Sequence, residues 1–311
     1  IDAAGERLRL YPDPLGTAFR HAAARLHSVD PAMILVGNGS DDLLTILIRA
    51  FVGPGDTVVY PSPSYILYKT LVELQDGHPV SVPFDREWRL DPAAFAVPGA
   101  RINFLANPNS PSGTNLAPEE VSTLARRLQG PLVVDEAYAN FAETDCVGLV
   151  AEHPNVIVTR SLSKGYSLAG LRVGYLIARA EIVEELMKVK DSYNCDTLSL
   201  AGGTAALEDQ EYLARTRAQV LDTRERLANE LRALGYSIPQ SQANFVWCQG
   251  GPPAAKVYQA LKARGILVRL MRYPDREDGL RVTVGTDEEI DILLRIFKQV
   301  VASPTLRGDS D

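Results

Sequence analysis

Asn155-Val-Ile-Val-Thr-Arg-Ser-Leu-Ser-Lys164-Gly-Tyr-Ser-Leu-Ala-Gly-Leu-Arg172 carries a β-branched apolar run into a lone lysine set between hydroxyl residues, with an arginine following. The run predicts a buried strand over 155–160, and Lys164 then falls just beyond its carboxyl end. A buried amine there is costly unless it meets an opposite charge or becomes covalently bonded. Taken alone, the same residues also fit a helix start with an exposed lysine. The flanking sequence separates the two readings.

Working outward, further short runs predict strands over 56–60, 79–83, 101–106, 131–135 and 172–178. Amphipathic stretches over 41–51, 64–75 and 118–128 alternate with them. Pro118-Glu-Glu-Val reads as a helix start, with proline in the first turn and acids at the positive end of the dipole. Such alternation implies an α/β fold with a mainly parallel sheet covered on both faces. After about residue 210 the pattern changes to a long charged helix over 211–234, stopped by Gly235. A strand over 244–249, a helix over 253–264, a strand over 280–284 and a helix over 287–301 follow. The chain thus divides into a large α/β domain over 28–210 and a smaller α+β C-terminal domain over 211–303, with a polar tail over 304–311.

The 311 residues suit two domains, and 46% hydrophobic with 23% charged residues supports a substantial core. A net charge of −7 argues against nucleic acid as the main partner. No apolar run has membrane-spanning length and no signal-peptide pattern is visible, so a soluble, cytoplasmic protein is expected. Cys146, Cys195 and Cys248 have neither metal-ligand spacing nor a disulfide pattern. His21, His27, His78 and His153 are scattered on polar segments and read as surface residues, so no metal site is expected. The chain opens with Ile1 rather than Met, and a preceding segment is expected.

In open α/β sheets ligands bind beyond the carboxyl ends of the strands. Asn107 and Asn109 follow one predicted strand, Asp135 closes the next, and Ser161 and Lys164 follow a third. Each could be ordinary turn chemistry, but together they deliver an amide, a carboxylate and an amine to one edge. That set suits pyridoxal 5'-phosphate (PLP), whose aldehyde takes up a lysine amine. Asp135 would face the ring nitrogen and keep it protonated, although alone it also fits a helix N-cap. Tyr138 would donate to the ring hydroxyl, or simply pack. Ser161, Ser163 and Arg172 would supply donors and positive charge to the phosphate. Gly39, Ser40 and Asp41 open the predicted helix 42–51 and would present backbone N–H groups to the same phosphate, although a plain helix cap looks alike. Tyr65 could stack on a flat ring or belong to the core.

The lysine segment, continued through Arg172-Val-Gly-Tyr, resembles that of fold-type I PLP-dependent aminotransferases. Tyr11-Pro-Asp-Pro, Gly37-Asn-Gly-Ser-Asp-Asp, Asp135-Glu-Ala-Tyr-Ala-Asn-Phe141 and Leu280-Arg-Val-Thr-Val-Gly-Thr286 together resemble the histidinol-phosphate aminotransferase branch. The match runs from about residue 7 to 301. The resemblance implies a homodimer with active sites at the subunit interface. Tyr11 would reach the PLP phosphate of the partner subunit, and residues 1–27 would pack near the small domain or on the partner. Arg269 and Arg281 would hold the substrate's anionic group. By itself an arginine in a strand is more often an edge or salt-bridged residue. Three departures stand out. Ser110, in Pro108-Asn-Ser-Pro-Ser-Gly113, replaces the asparagine expected at the cofactor hydroxyl, and Asn107 is the candidate substitute. Ser167 stands where glycine is usual, and the family's N-terminal arm, with its substrate-contacting tyrosine, is missing from this sequence.

The activity expected is transfer of an amino group from a small-molecule donor, L-histidinol phosphate first, to a 2-oxo acid acceptor. An aromatic amino-acid aminotransferase and a threonine-phosphate decarboxylase-like lyase keep the same site. A non-catalytic PLP-fold binding protein is disfavoured, because such a chain has little physical reason to retain Lys164, Asp135, Tyr138 and Arg172 together.

Overall fold

The computed structural model describes residues 2–6, 8–274 and 276–303; the polar tail expected over 304–311 lies outside them. Ten strands form two sheets. The first contains β1 (Ile34–Gly37), β2 (Thr57–Ser62), β3 (His78–Pro83), β4 (Ile102–Ala106), β5 (Leu132–Asp135), β6 (Val156–Ser161) and β7 (Gly174–Ile177). Their order is β1-β7-β6-β5-β4-β2-β3. β3, β2, β4, β5 and β6 run parallel, and β7 is antiparallel to both its neighbours.

The central strands are buried on both faces, which is why they read as unbroken apolar runs. Period-two alternation divides them between two cores. On one face Leu132, Val134, Val156 and Val158 pack with Phe19, Leu124 and Trp247. On the other Val133 and Ile157 pack with Leu43, Leu47, Tyr68 and Leu186.

The second sheet is antiparallel, ordered β8-β10-β9, from β8 (Phe245–Cys248), β9 (Arg269–Tyr273) and β10 (Arg276–Thr283). Helices Gln210–Ala233, Ala254–Lys262 and Asp287–Ala302 cover it around Leu231, Val246, Leu280, Val282 and Phe297. Gly235, at φ 91, ends the long helix, its N–H donating to the Arg232 carbonyl. β8 joins the two units: Val246 and Cys248 face the small core, and Trp247 the large one.

The fold is α/β with a mainly parallel sheet, and several details differ from the sequence reading. β1 and β9 were not expected as strands. The strand expected over 172–178 begins at Gly174, because Arg172 is left-handed at φ 52. Helix Thr17–His27 packs on helix Thr197–Glu208 and β1, with Phe19 in the large core. That part of 1–27 therefore sits with the seven-stranded sheet.

Candidate active site

β4, β5 and β6 lie side by side and parallel, with Ala106 level with Asp135 and Asp135 level with Thr159. The three following loops therefore leave from one edge, as the fold requires of a ligand site. There they line one cavity with Asp135, Tyr138, Ser161, Ser163 and Lys164, and hairpin β9–β10 closes it with Arg269, Met271 and Arg281.

Asp135 is buried at the cavity floor. Tyr68 Oη donates to its Oδ2 at 2.8 Å, and Thr159 Oγ1 to its Oδ1 at 3.2 Å. Loss of water still dominates and raises the Asp135 pKa, with those two hydrogen bonds opposing. A cation at this carboxylate would reverse the shift. Tyr68 and Thr159 were not singled out from sequence. Tyr68 is three residues past Tyr65 in a helix and reads as a core aromatic, which in part it is, stacked on Phe104 with centroids 5.0 Å apart.

Lys164 requires a correction. It is open to the cavity, not buried, so the cost argument from its burial fails. Its pKa is nonetheless lowered, by desolvation first and then by the charges of Arg281 and Arg172. A lowered pKa raises the fraction of neutral, nucleophilic amine. Its Nζ lies 5.9 Å from the centre of the Tyr138 ring, which packs edge-on against Phe245.

At the opposite end, Gly39 and Ser40 open helix Ser40–Phe51, and Arg172 lies against them. Gly39 has φ 83, and a Cβ there would come within 2.6 Å of Arg172 Nη2. The guanidinium could give way, but the positive φ itself favours glycine. Arg172 Nη1 donates to Ser163 Oγ and to the Ala169 carbonyl, each at 3.2 Å, while Nη2 is 3.7 Å from Asp41 Oδ2. The Ser163 N–H donates to Ser161 Oγ at 3.2 Å. Tyr65 Oη donates to Asp41 Oδ1 at 3.1 Å, and desolvation raises its pKa. Helix dipole, hydroxyls and guanidinium together make this end suited to an anion. Ser167 has φ 56, which glycine adopts at lower cost.

Asn107 also needs correction. Its Nδ2 donates to the Leu116 carbonyl at 3.0 Å, and its Oδ1 accepts the Leu116 N–H at 2.7 Å. The amide is spent on closing its own loop. Ser110 takes the cavity position instead and accepts a hydrogen bond from Arg281 Nη1 at 2.8 Å. Arg281 also lies over the Phe245 ring, 4.9 Å from its centre. Across the β9–β10 pair Arg281 faces Arg269, and like charges placed opposite each other repel unless an anion lies between them. Alternation aims Arg281 here, because its neighbours Leu280 and Val282 fill the small core.

Ser64 Oγ and Arg281 Nε are buried without a hydrogen-bond partner among the described residues, and both residues line the cavity. These orphan groups, the anion-binding end and the buried Asp135 fit a flat, phosphorylated, cationic-ring cofactor. Tyr11 lies outside the cavity, 81% exposed, stacked on Tyr193 with centroids 4.6 Å apart.

Buried Glu136 and Arg160, next in sequence to Asp135 and Ser161, form an ionic group with the more exposed Asp145. Arg160 Nε is 2.8 Å from Glu136 Oε2 and its Nη2 2.9 Å from Asp145 Oδ2. Beside it, His27 is half-buried, correcting the surface assignment. Its Nε2 lies 2.7 Å from Tyr175 Oη, and desolvation followed by the Arg160 charge pushes its pKa down to about 4. Arg160→Met would leave Glu136 buried without its cation, and a loss of about 3–5 kcal/mol in denaturant unfolding is expected.

A family model for aminotransferases of class I and II matches residues 1–297. A histidinol-phosphate aminotransferase of Rhodopirellula baltica is 47% identical over 97% of this chain and 84% of its own length. Another of that name from a Nostoc species is 45% identical over 97% of this chain and 86% of its own. The crystal structure of histidinol-phosphate aminotransferase from Sinorhizobium meliloti in complex with pyridoxal-5'-phosphate superposes with a TM-score of 0.91 at 28% identity, over 96% of this chain and 85% of that one. With a family model spanning nearly its whole length and close relatives along it, the chain belongs to the class I and II aminotransferases.

Proposed function

We propose that the protein binds PLP at Lys164 and transfers the amino group of L-histidinol phosphate to 2-oxoglutarate, giving imidazole acetol phosphate and L-glutamate. The observation that carries this reading is the meeting, in one cavity, of the Lys164 amine, the buried Asp135 carboxylate, an anion-binding helix end and a facing arginine pair. PLP, when bound, supplies a conjugated ring that takes up the electron pair released at the substrate's α-carbon. Asp135 holds a positive charge next to its carboxylate. Ser161, Ser163, Arg172 and the backbone at Gly39, Ser40 and Asp41 bind phosphate. Tyr138 and Ser110 orient the ring's hydroxyl side, and Tyr65 flanks the ring. Lys164 Nζ, with its lowered pKa, carries a proton to and from the α-carbon. Arg269 and Arg281 bind the substrate's anionic group; a guanidinium fork accepts phosphate and carboxylate alike, so one pair can serve both substrates in turn.

In this reading the working unit is a cytoplasmic homodimer, with Tyr11 reaching the partner subunit's phosphate site. The exposure of Tyr11 supports that role. Residues 28–210 form the PLP-binding domain and 211–303 the small domain, whose separate core supports the division.

Product analysis tests the assignment. Glutamate formed in step with loss of histidinol phosphate is expected. Carbon dioxide released from threonine phosphate, supplied in place of histidinol phosphate, would favour the lyase, and faster turnover of tyrosine or phenylalanine would favour the aromatic enzyme.

A further inference from the structure

Both arginines of the proposed anion site ride on one hairpin. β9 contributes Arg269 and Met271, and β10 contributes Gly279 and Arg281, paired as Arg269 with Arg281 and Met271 with Gly279. β9 is an edge strand, with no strand paired to its outer side among the described residues. The ladder is irregular between Arg276 and Gly279, so strand pairing alone holds the hairpin's far end weakly. β8 and the Arg281–Ser110 bond tie the hairpin's near end to the other unit, and its far end needs a further tie.

We propose that Arg276 is that fixing element, a positioning residue that ties the hairpin to the loop after β3 and so sets the arginine pair over the cavity. The inference rests on reading Arg269 and Arg281 as the substrate's anion site. Arg276 Nη2 donates to the Phe84 carbonyl at 2.8 Å and also to that of Asp85. Its guanidinium lies 4.0 Å from the centre of the Trp88 ring. The contact joins residues nearly two hundred positions apart, with the single Nη2 serving two carbonyls and the flat cationic face lying on an indole.

The anchor is a loop closed on itself. Asp85 N–H donates to the Arg89 carbonyl at 2.9 Å, and the Asp85 carboxylate accepts from Arg89 N–H at 2.8 Å and from Arg89 Nε at 2.9 Å. Trp88 is 5% exposed, packs on Phe84, and has φ 64. A bulky residue enters the left-handed region only where its surroundings compensate. Here the loop turns two carbonyls and an indole face towards one cation. A contact serving stability alone would leave the affinity of the anion site unchanged; a positioning contact would not.

The test uses PLP-loaded protein and maleate, a dicarboxylate that cannot react, titrated by calorimetry alongside steady-state kinetics with 2-oxoglutarate. Arg276→Ala is expected to weaken maleate about tenfold and to raise KM similarly, with a much smaller change in kcat and an intact visible cofactor band. Arg276→Lys keeps the charge and a donor but not the planar face laid on Trp88, and should recover part of the loss. Unchanged maleate affinity in both variants, whatever their melting temperatures, would overturn the inference. Arg281→Ala separates the two levels of the argument. If it loses maleate while Arg276→Ala does not, only the positioning role falls. If Arg281→Ala binds maleate like the wild type, the anion site itself is misplaced and the inference falls with it.

Discussion

Lys164→Ala is expected to lower turnover by about 10³-fold or more and to remove the visible absorption band of the PLP-loaded protein. Two functions are lost together. In the proposed reading the amine, that of the lysine among the described residues lining the cavity, both joins the cofactor's aldehyde and moves the α-carbon proton. The surrounding geometry supports both. Desolvation, Arg281 and Arg172 lower the Lys164 pKa, so a larger fraction of the amine is neutral than in a free lysine. Since Lys164 is open to the cavity, the truncation leaves no void in a packed core, and the fold should be retained. Retained secondary structure by circular dichroism with lost turnover is therefore the expected pair of results. Appreciable turnover in the variant would remove Lys164 from the mechanism.

Asp135→Asn is expected to produce the second largest effect, about 10²- to 10⁴-fold in kcat, because it removes a charge while keeping a similar shape. The asparagine oxygen can still accept from Tyr68 or Thr159, so the loss isolates the carboxylate's charge. The same substitution should stabilise the cofactor-free protein at neutral pH. The sign follows from linkage: burial raises the folded-state pKa of Asp135 above 3.8, so the fold favours the protonated acid. That advantage is fully present below the unfolded pKa and is lost as pH rises through the folded one. At neutral pH wild type therefore bears a desolvation cost at this carboxyl that asparagine lacks. Melting temperatures of the cofactor-free proteins at pH 7 check this, and a lower value for Asp135→Asn would contradict it. PLP should then raise the melting temperature of wild type more than that of the variant.

Much of this was legible in the sequence because it was written in runs and ends of runs. Apolar, β-branched stretches such as Val156-Ile-Val and Leu132-Val-Val can only be strands covered on both faces, and the polar residue closing each one then falls on the ligand edge. Arg281 and Arg269, by contrast, entered through the family resemblance. β9 hid because Arg269-Leu-Met-Arg-Tyr mixes charge into an edge strand, where alternation is weak. β1 is only four residues long.

Side-chain direction was the other limit. Sequence placed Asn107 and Ser110 in one loop, but only the fold decides which turns inward, and the bonds to Leu116 hold Asn107 away. The exposure of Lys164, the hold of Tyr68 on Asp135 and the bond between Ser110 and Arg281 all depend on contacts between residues distant in the chain. No local pattern carries that information. His27 misled for the same reason, since its partner Tyr175 comes from β7.

The most direct test of the central claim is the visible spectrum of PLP-loaded protein, recorded before and after L-histidinol phosphate is added without acceptor. A visible band is expected that is lost on addition of the amine and restored by 2-oxoglutarate, because both half-reactions then occur at Lys164. A band indifferent to histidinol phosphate would contradict the proposed donor, and no band at all would contradict the reading of Lys164 itself.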